Sequence, residues 1–139
     1  MPSARRFKVG LVQMSMSADP KENLDKAAAR VEEAARLGAE VVCLPELFRS
    51  PYFCQREDAS LFDLAEPVPG PSTERLAAGA RSAGVSGVGP GFGRRAPGPV
   101  PHSAATPDAH GGQRGVYRKI HNPADPPAHQ KYHHAPRGP

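Results

Sequence analysis

Apolar residues crowd the stretch "FKVGLVQMSM", Phe7 to Met16, densely enough to predict a strand buried on both faces. The pattern then changes period. In "ADPKENLDKAAARVEEAARLGAE", Leu24, Ala27, Ala28, Val31, Ala34 and Ala35 recur at helical spacing. Asp19 stands where a cap is needed, Pro20 suits the first helical position, and Gly38 ends the run. "AEVVCLP" returns to a strand pattern, so residues 7–45 read as strand, helix, strand, with a crossover that makes the strands parallel. Glu46, in "CLPELF", therefore falls just past the carboxyl end of a central strand. Open α/β sheets place their ligand sites at that end.

The next segment, "FRSPYFCQREDASLFDLAEPVPGP", is too long and too rich in aromatics and turn residues for a plain connector. It reads as a structured loop near the strand ends and as a candidate substrate-facing loop. "PSTERLAAGARSAG" predicts a second helix, capped by Ser72 or Thr73, weakened by Gly79 and stopped by Gly84. A third strand is due after Gly84, yet "GVSGVGPGFGRR" offers mainly glycine and a proline, which weaken strand interiors. Farther on, "SAAT" and "RGVYRK" read as two short strands joined by the turn "DAHGGQ". Gly111 and Gly112 lack the strand-before, helix-after setting of a phosphate loop.

Composition adds a break to this picture. Of the 139 residues, 38% are hydrophobic, below the usual range of about 45–50%. Residues 1–85 hold 23 of the Val, Ile, Leu, Met, Phe and Tyr residues, and residues 86–139 hold 7. All six histidines and 10 of the 17 prolines lie in the second part. Such a composition predicts a globular first part and poor order over residues 86–139.

Charge and chemistry exclude more than they assign. The net charge of +4 is spread singly or in pairs, and aromatics are 6%, so a nucleic-acid stacking platform is not expected. Nothing at the amino terminus resembles a secretion signal, and no run reaches the roughly 18–20 apolar residues that span a bilayer. A cytoplasmic protein without membrane contact is the expectation. Cys43 belongs to a strand and Cys54 to the loop, so a disulfide between them is not expected. His121, His129, His133 and His134 are close in sequence, but Pro126, Pro127 and Pro136 limit any helix there, and no metal site is expected.

Taken together, "KVGLVQMS", "CLPELF", "SPYFCQRED", "LAEPVPGPSTERLAA" and "GVYRKIHNP" resemble the amino-terminal half of the carbon–nitrogen hydrolase (nitrilase) superfamily, nearest its N-carbamoylputrescine amidohydrolase branch. The likeness is nearly continuous over residues 7–85 and patchy beyond. It implies an α/β fold, an incomplete half of an αββα sandwich within one domain over residues 1–139. It also implies a Glu-Lys-Cys triad acting without a cofactor on a small carbamoyl amine or amide. Glu46 matches the family's general base and Lys119 the lysine that stabilises the tetrahedral intermediate. Full-length relatives are expected to be homo-oligomers.

The resemblance also marks departures. The family's nucleophilic cysteine follows the lysine motif, whereas no cysteine follows Lys119 here. Cys43 and Cys54 do not match it. Gln130 stands where relatives carry a second glutamate that orients the site. Glycine, proline and histidine replace strand and aromatic residues after position 85 in a way single-base changes would produce. Two expectations follow: a truncated amidohydrolase inactive by itself, or a non-catalytic remnant or partner-binding pseudoenzyme.

Overall fold

The computed structural model describes residues 5–94, 102–110 and 112–120. Strand β1 (Val9–Leu11) leads to helix α1 (Pro20–Arg36) and strand β2 (Val41–Cys43). A 3-10 helix (Ala59–Leu64), strand β3 (Glu66–Pro67) and helix α2 (Pro71–Ala83) follow. Strands β4 (Ser86–Arg94), β5 (His102–Pro107) and β6 (Gln113–Arg118) complete the described elements.

Helix α1 begins and ends as its sequence dictates. The Asp19 side chain accepts the Lys21 N–H at 2.8 Å, satisfying one of the donors that a helix start leaves unpaired. Pro20 follows at a position whose N–H has no intrahelical partner. Gly38, just past the end, takes the left-handed conformation at φ 88° that closes many helices. The apolar stripe of Ala27, Ala28 and Val31 is buried, with Leu24, Ala34 and Ala35 packed around it.

Helix α2 starts earlier than expected. Its cap is Gly70, not Ser72 or Thr73, because Pro71 has the fixed φ that suits the first helical turn. Thr73 instead reaches back, accepting the Gly70 N–H at 2.8 Å and donating to the Gly70 carbonyl at 2.9 Å.

The sheet runs β1-β2-β4-β5-β6, with β3 pairing the end of β4. β1, β2 and the start of β4 are parallel, as a strand-helix-strand chain requires. β4, β5 and β6 then pair antiparallel. Both helices pack on one face, where Val31, Val42, Leu44, Phe48, Leu76, Ala80 and Val85 form the core. A smaller cluster of Leu47, Phe53 and Cys54, backed by Leu61, Phe62, Leu64 and Ala65, gives the 48–71 loop its own structure. Asp108 shapes the β5–β6 turn, its carboxylate accepting the N–H groups of His110 and Gly112 at 2.9 and 2.8 Å. Those bonds, with Arg114 nearby, hold the Asp108 carboxyl below its ordinary range.

Two expectations change. The first strand is not buried on both faces: Phe7, Val9 and Leu11 are 61%, 45% and 80% exposed. Gly10 faces α1 so closely that a Cβ there would lie 2.9 Å from the Ala34 Cβ, which turns the odd-numbered residues to the opposite face. The poor order expected over residues 86–139 does not hold for residues 86–94, 102–107 and 113–118, which are strands. Backbone pairing ties them together. β2 takes Ser86 to Val88, β5 takes Gly89 to Phe92, and β3 takes Gly93 and Arg94. Pro90 falls between the β2 and β3 ladders on one edge, a gap of the kind that accommodates proline. Residues 121–139 lie outside the described residues, and with them His121, His129, Gln130, His133 and His134.

Two glycine substitutions should act in opposite directions. Gly10→Ala forces α1 off the sheet and should lower stability by about 1–3 kcal/mol, the usual cost of overpacking. Gly79→Ala meets nothing nearer than the Arg75 Nη1 at 4.0 Å and removes a mid-helix glycine, so it should raise stability by about 0.5–1 kcal/mol. Urea unfolding monitored by circular dichroism measures both.

Candidate active site

Glu46 follows β2 and Pro45 and opens the turn that leads into the long loop. The turn needs an unusual backbone: Leu47, a non-glycine residue, has φ 54°. Its side chain, 3% exposed among Phe53 and Cys54, anchors that conformation in the smaller cluster. Strain of this kind persists only where the surroundings over-determine it.

Two polar anchors do so. Asn23, fully buried on α1, donates through Nδ2 to the Arg49 carbonyl at 2.9 Å and the Ser17 carbonyl at 2.8 Å, while its Oδ1 accepts the Ser17 N–H at 2.8 Å. The Arg49 guanidinium then crosses to the other side of the turn. It donates to the Leu64 carbonyl at 3.1 Å and pairs with Glu66 at 2.8 Å, both side chains largely buried. Glu66 in turn accepts the Ser72 N–H at 3.2 Å, at the start of α2. A carboxylate near a helix amino terminus is favoured by the helix dipole. The turn that carries Glu46 is thus tied to both helices.

Lys119 arrives from the far side of the sheet, directly after β6. The topology explains the meeting. β6 is antiparallel to β5 and β5 to β4, so β6 runs the same way as β4 and β2, and all three end on one side. Lys119 Nζ lies 3.2 Å from Glu46 Oε1 across 73 residues of sequence. The two side chains are 34% and 41% exposed, so the pair is open enough for a substrate to reach.

Cys54 is the third chemical group nearby. Burial pushes its thiol from 9.0 up to about 11, with a smaller upward effect from the Glu46 charge; a hydrogen bond with Tyr52 and the Lys119 charge oppose these. A thiol held there is protonated at neutral pH and is not a ready nucleophile. Cys43 and Cys54 are not joined by a disulfide. A cleft of about 390 Å³ opens along the 48–71 loop, with Ser50, Tyr52, Gln55 and Arg56 among its walls, but neither Glu46 nor Lys119 lines it. Among the described residues, no group of three or more His, Cys, Asp or Glu side chains is placed to hold a metal. No helix among them is long and apolar enough to cross a membrane.

Sequence reading finds both members of the pair but misses their supports. Asn23 sits among the polar positions of a helix start and reads as ordinary surface. Arg49 carries no signal beyond its place beside Glu46.

Known proteins resemble this chain in sequence and fold. The carbon–nitrogen hydrolase family matches residues 8–138. The omega-amidase NIT2 of Xenopus tropicalis is 35% identical over 116 residues, covering 84% of this chain and 41% of that protein. The N-carbamoylputrescine amidase of Solanum lycopersicum is 33% identical over 133 residues, covering 95% and 44%. The chain thus spans less than half the length of these curated relatives. Among solved structures, a carbon–nitrogen hydrolase from Helicobacter pylori superposes with a TM-score of 0.88 at 29% identity, over 95% of this chain and 45% of that one. An amidase from Nesterenkonia superposes with a TM-score of 0.73 at 25% identity, over 96% and 49%. With residues 8–138 of this chain matched by the family and the nitrilase-type α/β fold in place, this chain belongs to the carbon–nitrogen hydrolase family.

Proposed function

We propose that Glu46 and Lys119 are the general base and the oxyanion-stabilising lysine of an amidase acting on a small amide or carbamoyl amine. The observation that carries this reading is the 3.2 Å contact between Lys119 Nζ and Glu46 Oε1, made beyond strand ends where α/β sheets place their sites. Relatives named omega-amidase and N-carbamoylputrescine amidase support the substrate class.

The chemistry needs both groups. A thiol with a free pKa near 8.5 is mostly protonated at neutral pH, so a carboxylate must take its proton before the sulfur attacks the carbonyl carbon. The ammonium of Lys119 faces the negative charge that then develops on the carbonyl oxygen. Collapse of the tetrahedral intermediate breaks the carbon–nitrogen bond, and Glu46 returns the proton to the leaving amine. Water, deprotonated by the same carboxylate, cleaves the thioester. Glu46 therefore acts twice, once as base and acid for sulfur and once for water.

Within the 139 residues the thiols are Cys43 and Cys54, and neither suits the attack: Cys43 is in the β2 strand and Cys54 is fully buried with a raised pKa. The 139-residue chain by itself should therefore hydrolyse neither N-carbamoylputrescine nor an ω-amide above the level of its Glu46→Ala variant. Losing a nucleophile costs on the order of a millionfold. Ammonia release is the measurement, and turnover above that control overturns the reading.

The roles themselves can be tested by continuing this chain, after Ile120, with the remaining part of the tomato amidase. That chimera should hydrolyse N-carbamoylputrescine. Glu46→Gln should lower its kcat by about 10²–10⁴-fold and Lys119→Ala by about 10²–10³-fold. An active chimera indifferent to Glu46→Gln would remove Glu46 from the chemistry. In the 139-residue chain, Lys119→Ala should change stability by less than about 1 kcal/mol, since half-exposed ion pairs contribute little.

Cys54 supplies a pH test. A thiol whose folded pKa is raised contributes stability that is complete below 9.0 and lost as pH rises toward about 11. Urea-unfolding free energy should fall more steeply between those values in the wild type than in Cys54→Ala. Equal slopes would show that the thiol is not held in its neutral form.

A further inference from the structure

Behind the turn that carries Glu46, two buried polar atoms, Arg49 Nε and Ser72 Oγ, have no hydrogen-bond partner among the described residues. Ser72, at the second position of α2, is 6% exposed, and the Arg49 side chain is 23% exposed. Polar groups withdrawn this far from solvent are nearly always paired, with protein or with ordered water. Both residues line one cavity of about 40 Å³, together with Glu66, Phe48, Val68 and Leu76. Glu66 stands between them, its Oε1 on Arg49 Nη2 at 2.8 Å and its Oε2 accepting the Ser72 N–H at 3.2 Å. In the planar guanidinium fork, the Nε–H lies parallel to an N–H of Nη2 and points to the same side. The unpaired donor is therefore directed toward Glu66 and the start of α2.

We propose that this cavity is a hydration site, holding one ordered water that accepts from Arg49 Nε and bridges to Ser72 Oγ and the Glu66 carboxylate. Size, charge and hydrogen-bonding role select that occupant. A water needs about 10–15 Å³, whereas an apolar cavity that takes benzene is roughly 150 Å³, so this one is too small for an organic ligand of that kind. The guanidinium disfavours a cation at Nε and the Glu66 carboxylate disfavours an anion, which leaves a neutral molecule. That molecule must both accept and donate: the Nε–H requires an acceptor, the carboxylate a donor, and the serine hydroxyl takes either role. Water does both, and three partners are typical of a buried one. Each nitrogen of the Arg49 guanidinium is then engaged, Nη1 by the Leu64 carbonyl, Nη2 by Glu66 and Nε by the water. The link from the Glu46 turn to α2 runs through two parallel paths, the carboxylate and the water.

The proposal is independent of the amidase chemistry, and its test needs no activity. A high-resolution crystal structure of the 139-residue chain should show a water within about 3.2 Å of both Arg49 Nε and Ser72 Oγ. Direct pairing of Ser72 Oγ with Arg49 or Glu66 would overturn the proposal, as would an ion or no water between them. Urea unfolding of Ser72→Ala gives a second answer, because the two cases differ in sign. Where the water bridges, losing the hydroxyl removes one of its partners and should lower the folding equilibrium constant by about 5–30-fold. Where the hydroxyl is an orphan, its removal leaves that constant unchanged or raises it, and this result would also overturn the proposal.

Discussion

Strand β4 is the constraint on which the rest depends. Its nine residues pair with β2, β5 and β3 in succession, so one segment joins the parallel half of the sheet to the antiparallel half. The pairings with β2 and β3 are long in sequence, and loop-closure entropy must be met before they form. Without β4, the hairpin of β5 and β6 has no attachment to β2, and Lys119 has no route to Glu46. Two-stranded hairpins are marginal alone in water, which makes that attachment a condition for the hairpin itself.

The site divides its mechanical and chemical tasks between different residues. Glu46 and Lys119 keep their reacting atoms partly open to solvent, while Asn23, Arg49 and Glu66, which hold the turn, are mostly withdrawn from it. The separation has a physical basis. A buried, fully hydrogen-bonded amide such as Asn23 is costly to disturb, since removing one partner strands the others. An exposed ion pair is cheap to separate, so Lys119 can leave the carboxylate for a substrate oxygen. The left-handed Leu47 belongs to the first class: its backbone cost is met by burial of its side chain.

The family resemblance and the geometry bear on different questions. The resemblance concerns which groups meet, and the geometry concerns how a helix start, a turn and a hairpin deliver them. Cys54 illustrates the difference. Its place in the loop motif argues against a nucleophile, and its burial beside Glu46 and Lys119 gives that argument a cause, since a desolvated thiol resists ionisation.

The amino-acid sequence by itself determined α1, from the Asp19 cap and Pro20 to Gly38, because capping and helical periodicity are local and need no partner. It also determined the parallel β1–α1–β2 unit and the position of Glu46 past its end, since a crossover of that length leaves few alternatives. The β5–β6 turn was legible for the same reason: the Asp108 side chain bonds the backbone two and four residues on. Only the tertiary structure decided the rest. β4 forms from glycines and a proline because its neighbours supply hydrogen bonds that its own side chains do not predict. The face of β1 that meets the helices is chosen by the approach of Ala34 to Gly10, which no periodicity reveals. Glu46 and Lys119 meet because antiparallel pairing turns β6 to run alongside β2, and a direction set by pairing exists only once the sheet has formed.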